Sequence, residues 1–125
     1  MDARGMQHYK EQSINTMTQG ELLLLLYDEI VKRLTQAELA LNKKLYQVYE
    51  DAVQRSIDII RYLDDILDRR YPISRELTQM YEYFIYDLTR AKIGRNLPVM
   101  VHVRELVVEM RDAFRVAQKS GDSNK

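Results

Sequence analysis

Four stretches of this sequence repeat apolar residues at the three- and four-residue spacing of one helix face, and this pattern constrains the fold most strongly. Strand-like alternation is nearly absent outside residues 98–103. Only four glycines and two prolines occur, mostly close to the ends of the periodic stretches. We therefore predict an all-α fold, an antiparallel up-down four-helix bundle joined by short connections and preceded by a flexible N-terminal segment.

Capping and breaking residues indicate where the helices begin and end. Thr18 and Glu21 have the spacing of a capping box, in which the Thr hydroxyl accepts a hydrogen bond from a free backbone N–H. Pro72 suits the first turn of the third helix, and Gly94 suits a left-handed residue just after that helix. Asn96 is the predicted cap of the fourth helix. The predicted helices span residues 18–42, 46–70, 72–93 and 96–118.

The chain divides into three predicted parts. Residues 18–118 form the bundle. Residues 1–17 are polar with a few apolar anchors, and we expect a flexible lead-in or a cap over an apolar groove. Residues 119–125 are small and polar, and they are predicted to be a disordered tail. No stretch approaches the roughly 20 apolar residues that span a bilayer, so no membrane insertion is expected.

Composition and missing motifs argue against several classes of function. Acidic and basic residues balance at 19 each, so no net charge attracts nucleic acid, and no such partner is expected. The absence of cysteine excludes thiolate sites and fits the reducing cytoplasm. A di-iron bundle needs Glu-x-x-His pairs, whereas His102 and Glu105 stand once, in the reverse order. We therefore assign no catalytic, cofactor or metal residues and expect no enzyme.

Apolar residues outside the four stripes are the clearest sign of a binding function. The second predicted helix is apolar over roughly 180°, well beyond the ~100° that one core-facing stripe needs. Contiguous apolar patches on an exposed face usually mark binding sites. Ile59 and Ile66 fit the core of a deeply buried helix equally well. The predicted partner-binding groove consists of Ile59, Tyr62, Ile66, Tyr83, Tyr86 and Ile93.

Two further sets of residues are candidates for contact. Val101 and Val108 lie nearly opposite the stripe of the fourth helix, which indicates a second contact face for a partner or for another copy, as in a homodimer. Tyr9 and Ile14 are apolar anchors of the lead-in and are the candidates for a cap over the groove. A disordered leader is the alternative for that segment.

Several motifs follow one another along the chain: the lone Tyr9, Leu26-Tyr27-Asp28, Ser56 to Leu63 with Leu67-Asp68, Leu77-x-x-Met80-Tyr81-x-Tyr83, and Arg111-Asp112-Ala113-Phe114. Their order resembles the flagellar secretion chaperone family FliS. The chain departs from that family at residues 70–73, where Gly-Gly-Glu-Ile is usual, and at Glu76 and Lys92, where Asn is common.

This resemblance implies a cytoplasmic export chaperone. FliS-like proteins bind the C-terminal helical segment of newly made flagellin, prevent its premature polymerisation and help deliver it to the flagellar export gate. The flagellin segment would lie with its apolar face in grooves of the bundle. A structural or regulatory bundle that binds itself or an unrelated helix is the alternative.

Overall fold

The computed structural model describes residues 17–123 and contains four α-helices in that range. They are α1 (Gln19–Asn42), α2 (Tyr46–Asp65), α3 (Ile73–Gly94) and α4 (Leu97–Ser123). Each helix packs against the next, and α4 packs back against α1. This arrangement confirms the predicted all-α four-helix bundle.

Local side chains determine where α1 and α4 begin. The Oγ1 atom of Thr18 accepts a hydrogen bond from the backbone N–H of Glu21 at 3.1 Å. At the start of α4, Oδ1 of Asn96 accepts from the backbone N–H of Val99 at 3.3 Å. Both are the predicted caps, which satisfy N–H groups that have no partner within the helix.

The prediction that α2 continues to Arg70 was wrong, because the helix ends at Asp65. The side chain of Asp64 accepts hydrogen bonds from Thr78 at 2.7 Å and from Arg69 at 3.2 Å. These contacts direct the chain toward α3. The helix therefore ends although apolar residues continue at helical spacing beyond it in the sequence. Ile66 therefore lies in the connection between helices and not on α2.

The left-handed residue after α3 is Arg95, with φ of 50°, and not the predicted Gly94, which still belongs to the helix. At the other end of the bundle, α4 extends to Ser123, within the segment that the sequence assigned to a tail. Gln118 packs so tightly there that a Cβ on Gly20 would lie 1.4 Å from its Nε2 atom. The glycine lets the end of α4 lie against the start of α1.

The core contains three tyrosines whose hydroxyl groups are all hydrogen-bonded. The hydroxyl groups of Tyr27 and Tyr81 lie 2.7 Å apart across the bundle, and that of Tyr49 donates to the carbonyl of Ala91. Met80 lies at the surface beside Tyr81, which is buried. The other large buried side chains are Ile30, Leu34, Val53, Ile57, Ile60, Leu63, Phe84, Leu88, Met100 and Val103.

Candidate functional site: an apolar groove between α3 and α4

An apolar groove of about 360 Å³ opens between the first half of α3 and the second half of α4. We call it the α3/α4 groove. Its walls and floor are formed by Leu23, Tyr27, Leu67, Ile73, Leu77, Tyr81, Met110, Ala113, Phe114 and Ala117. At the end of the bundle it adjoins a hollow lined by Gln19, Gly20, Ile66 and Tyr71.

Small side chains and loose packing keep this groove open. Ala113 and Ala117 lie one turn apart on the same edge of α4 and present only methyl groups. The contact between α3 and α4 is also the least extensive among neighbouring helices of the described bundle. The start of α3 and the end of α4 therefore leave space that their own side chains do not fill.

The floor of the groove offers shape and apolar area but no unpaired polar group. Burial raises the pKa of both Tyr27 and Tyr81, so both phenols stay protonated, and their hydroxyl groups bond to each other. The ring of Phe114 meets the Tyr27 ring edge-on, with centroids 6.3 Å apart. A ligand that fits this floor must therefore present apolar side chains.

Among the predicted groove residues, Tyr83 lies on the α4-facing edge of α3 but does not line the α3/α4 groove. Thr78 and Lys92 contact α2 through Asp64 and Gln54, which identifies the α2-facing edge of α3. Residues of the other edge, including Tyr83, must face α4, because successive helical positions turn by about 100°. The Tyr83 side chain is exposed there.

Ile59 and Tyr62 belong to a different face of the bundle. The contacts of Gln54 and Asp64 define the α3-facing edge of α2, so Ile59 and Tyr62 lie on the edge nearer to α1. Ile59 is half-buried and packs against the core, whereas Tyr62 is exposed. Ile66 alone of the three reaches the site, because it lines the hollow at the end of the groove.

Tyr86 and Ile93 lie on the outer surface of α3, away from the core. Both side chains are exposed, and the Arg90 guanidinium stacks 5.5 Å from the centroid of the Tyr86 ring. The structure does not bring this pair to the α3/α4 groove. Tyr9 and Ile14, the predicted cap, lie outside the described residues.

Val101 and Val108, the predicted second face, are half-buried beside the α1–α4 contact. Val101 packs against the core. Three ion pairs join the helices on this side: Arg104 to Glu38 at 2.8 Å, Arg111 to Asp28 at 3.1 Å, and Arg115 to Asp28 at 3.7 Å.

The residues that sequence reasoning missed are Ile73, Leu77, Met110, Ala113 and Ala117. The prediction rested on large apolar side chains outside the core stripes, but this groove results from small side chains on one helix. The pair of alanines one turn apart near the end of α4 was the available signal.

Residues 17–123 show neither a metal-binding cluster nor a membrane-spanning helix. No cluster of three or more His, Asp or Glu side chains could hold a metal ion in this range. None of the four helices is both long and apolar enough to cross a membrane.

A four-helix bundle with an open apolar groove is typical of proteins that bind a helix of another chain. A family model described as "Flagellar protein FliS" matches residues 2–121. The flagellar secretion chaperone FliS of Bacillus subtilis (strain 168) is 30% identical over 112 residues, which are 90% of this chain and 84% of that protein. The chain therefore belongs to the FliS family, and the resemblance noted in its motifs is confirmed.

Proposed function

We propose that this protein is a cytoplasmic export chaperone that holds the C-terminal helical segment of flagellin in the α3/α4 groove. Membership of the FliS family supports the chaperone role. The observation that supports the location is the open apolar groove itself. The stretch from Met110 to Ala117 covers about 10 Å of helix, which matches two turns of a bound helix.

The chemistry of the groove suits binding that can be reversed. Each Leu or Val side chain that a client buries contributes roughly 1.5–3 kcal/mol. A segment that is disordered when free loses part of this gain when it becomes ordered, at a cost of about 2–5 kcal/mol. The complex is then stable enough to block polymerisation, yet a docking event at the export gate can release the segment without an enzyme. Delivery to the gate is part of the same proposal.

Amide exchange of the full chain, with and without a peptide of the flagellin C-terminal segment, tests this proposal. We expect a one-to-one complex in which the peptide slows exchange in residues 73–83 and 106–117. Protection confined to the α1-facing edge of α2, around Ile59 and Tyr62, would leave the chaperone role intact but move its binding surface. The absence of binding at micromolar concentrations would contradict the proposed client.

Removing residues 1–16 should strengthen binding of the flagellin peptide by about tenfold, if the lead-in occupies the groove in nine-tenths of free molecules. Gln19 and Gly20, at the start of α1, line the hollow that adjoins the groove, so the end of α1 to which the lead-in is attached lies beside the groove. We propose that Tyr9 and Ile14 supply the apolar anchors of this cap. Titration calorimetry of the full and shortened chains measures the effect.

Point variants separate this capping from a general effect of truncation. The double variant Tyr9→Ser, Ile14→Ser should reproduce most of the gain in affinity, whereas Gln7→Ser, Gln12→Ser should change nothing. Equal affinities for the full and shortened chains would show that the lead-in does not compete with the client.

A further inference from the structure

The end of the bundle opposite the α3/α4 groove carries a second group of exposed apolar side chains. Leu39, Leu45, Val48 and Ile93 form this group, which we call the far-end patch. Their exposed fractions run from 49% for Leu45 to 77% for Ile93. Large aliphatic side chains concentrated on one part of a surface usually mark a contact site.

Chain topology and one direct contact place these residues at the same end of the bundle. The α1–α2 turn and the α3–α4 turn lie at the same end of an antiparallel bundle, and the patch residues lie within or beside these turns. The two turns also touch, because the Arg95 guanidinium stacks 3.7 Å from the centroid of the Tyr46 ring. Leu45 and Val48 flank that aromatic residue in the sequence.

The patch is bordered by positive charge. Lys43 and Lys44 occupy the α1–α2 turn, and Arg95 occupies the α3–α4 turn. None of these three side chains forms an ion pair within the described residues. The first acids along α2 are Glu50 and Asp51, and neither forms an ion pair with these cations; Asp51 accepts a hydrogen bond from Gln47 at 2.9 Å.

Two of these basic residues hold an unfavourable backbone conformation. Lys44 has φ of 60° and Arg95 has φ of 50°, in the left-handed region that glycine and asparagine occupy more readily. Both tight turns at this end therefore keep a cation at a position where glycine would be less strained. Residues held in this way cluster at functional surfaces.

We propose that the far-end patch docks an acidic segment of a partner protein, with aliphatic side chains on one face of a helix and carboxylates beside them. Charge complementarity identifies this occupant, because three unpaired cations border the aliphatic side chains. A lipid surface is a poorer fit, since anionic membranes are recognised by clusters of about four to eight Lys or Arg. The patch and the groove lie at opposite ends, so both can be occupied at once.

One double variant replaces two of the four patch residues while strengthening the fold. Leu45 is the N-cap of α2 and makes no side-chain cap hydrogen bond, and the first turn of α2 has no acidic residue. Leu45→Ser with Val48→Glu creates the Ser-x-x-Glu spacing of a capping box. The variant should therefore melt at a higher temperature than the wild type. Tyr86→Ser, which changes an exposed residue outside the patch, is the control.

Two designed helical peptides with identical leucine positions serve as probes, one with Glu and one with Lys at the flanking positions. In NMR titrations of the full chain, the Glu peptide should shift amide signals of residues 39–48 and 93–95. The Lys peptide should bind there at least about tenfold more weakly. The double variant should lose about tenfold in affinity for the Glu peptide, and Tyr86→Ser none.

Several results would overturn the proposal. Equal binding of both peptides would remove the charge argument, and shifts confined to residues 73–81 and 110–117 would show that only the groove binds. Binding to phosphatidylglycerol vesicles but not to the Glu peptide would assign the patch to a membrane. A dimer of the free chain that the double variant abolishes would assign it to a second copy. A failure of flagellin binding would not change the interpretation of these peptide, vesicle and dimer experiments, because the patch is distinct from the groove.

Discussion

Replacing Ala113 by Glu should weaken binding of the flagellin segment by about 100-fold, with little change in the stability of the free protein. Ala113 lies in the wall of the α3/α4 groove and is exposed when the groove is empty. Glu is a good helix former, so α4 accepts it. Under a bound helix, however, its carboxylate would be removed from water beside apolar side chains. Burial of an unpaired charge costs about 3 kcal/mol or more, which corresponds to at least ~100-fold in affinity.

Val116→Glu is the matched control for this variant. Val116 lies on the same helix, is exposed and takes no part in the groove. Titration calorimetry with the flagellin peptide and thermal melts of both variants are the measurements. If Ala113→Glu and Val116→Glu bind the peptide equally well, the client does not occupy the α3/α4 groove. The α1-facing edge of α2, with Ile59 and Tyr62, then becomes the next surface to test.

The number of helices and most of their ends could be predicted because the responsible signals are local. The cap at Thr18 involves residues three positions apart, and the apolar stripes need no knowledge of neighbouring helices. The end of α2 was missed because Asp64 bonds to Thr78 on the next helix. An apolar period that continues through Ile66 gives no sign of such a contact.

The composition of the site was harder to predict, because it depends on how each helix is rotated about its axis. Tyr62 and Tyr83, for example, both lie outside a core stripe in the sequence pattern. The structure places them on different faces, since the pairs Gln54–Lys92 and Asp64–Thr78 turn opposite edges of α2 and α3 toward each other. A groove formed by the small residue Ala113 carries even less signal, since exposed alanines are ordinary in helices.

Above pH 10 the folded protein should lose stability steeply. Burial raises the pKa of Tyr27, Tyr49 and Tyr81 in the folded state, whereas a tyrosine of the unfolded chain titrates near pH 10. Below that pH both states keep these protons, so the three phenols add no pH dependence. Above it the unfolded chain binds fewer protons than the folded one, and the free energy of unfolding falls. The slope reaches about 1.4 kcal/mol per pH unit for each tyrosine, or about 4 kcal/mol for three.

Loss of ion pairs would not make the free energy of unfolding fall from pH 10 upward. The ion pairs among the described residues all use arginine, which stays charged well above pH 10. Urea unfolding followed by circular dichroism between pH 8 and pH 11.5 measures the slope. A midpoint that stays constant across this range would show that the three phenols ionise in the folded bundle.

Tyr49→Phe isolates the contribution of one phenol to this slope. The carbonyl of Ala91, which accepts from the Tyr49 hydroxyl, also accepts from the backbone N–H groups of Arg95 and Asn96, so it keeps partners in the variant. The variant should fold, and its slope above pH 10 should be smaller by about one proton, or ~1.4 kcal/mol per pH unit. Tyr86→Phe removes an exposed phenol and should leave the slope unchanged. Identical slopes for Tyr49→Phe and the wild type would mean that Tyr49 is not linked to alkaline unfolding.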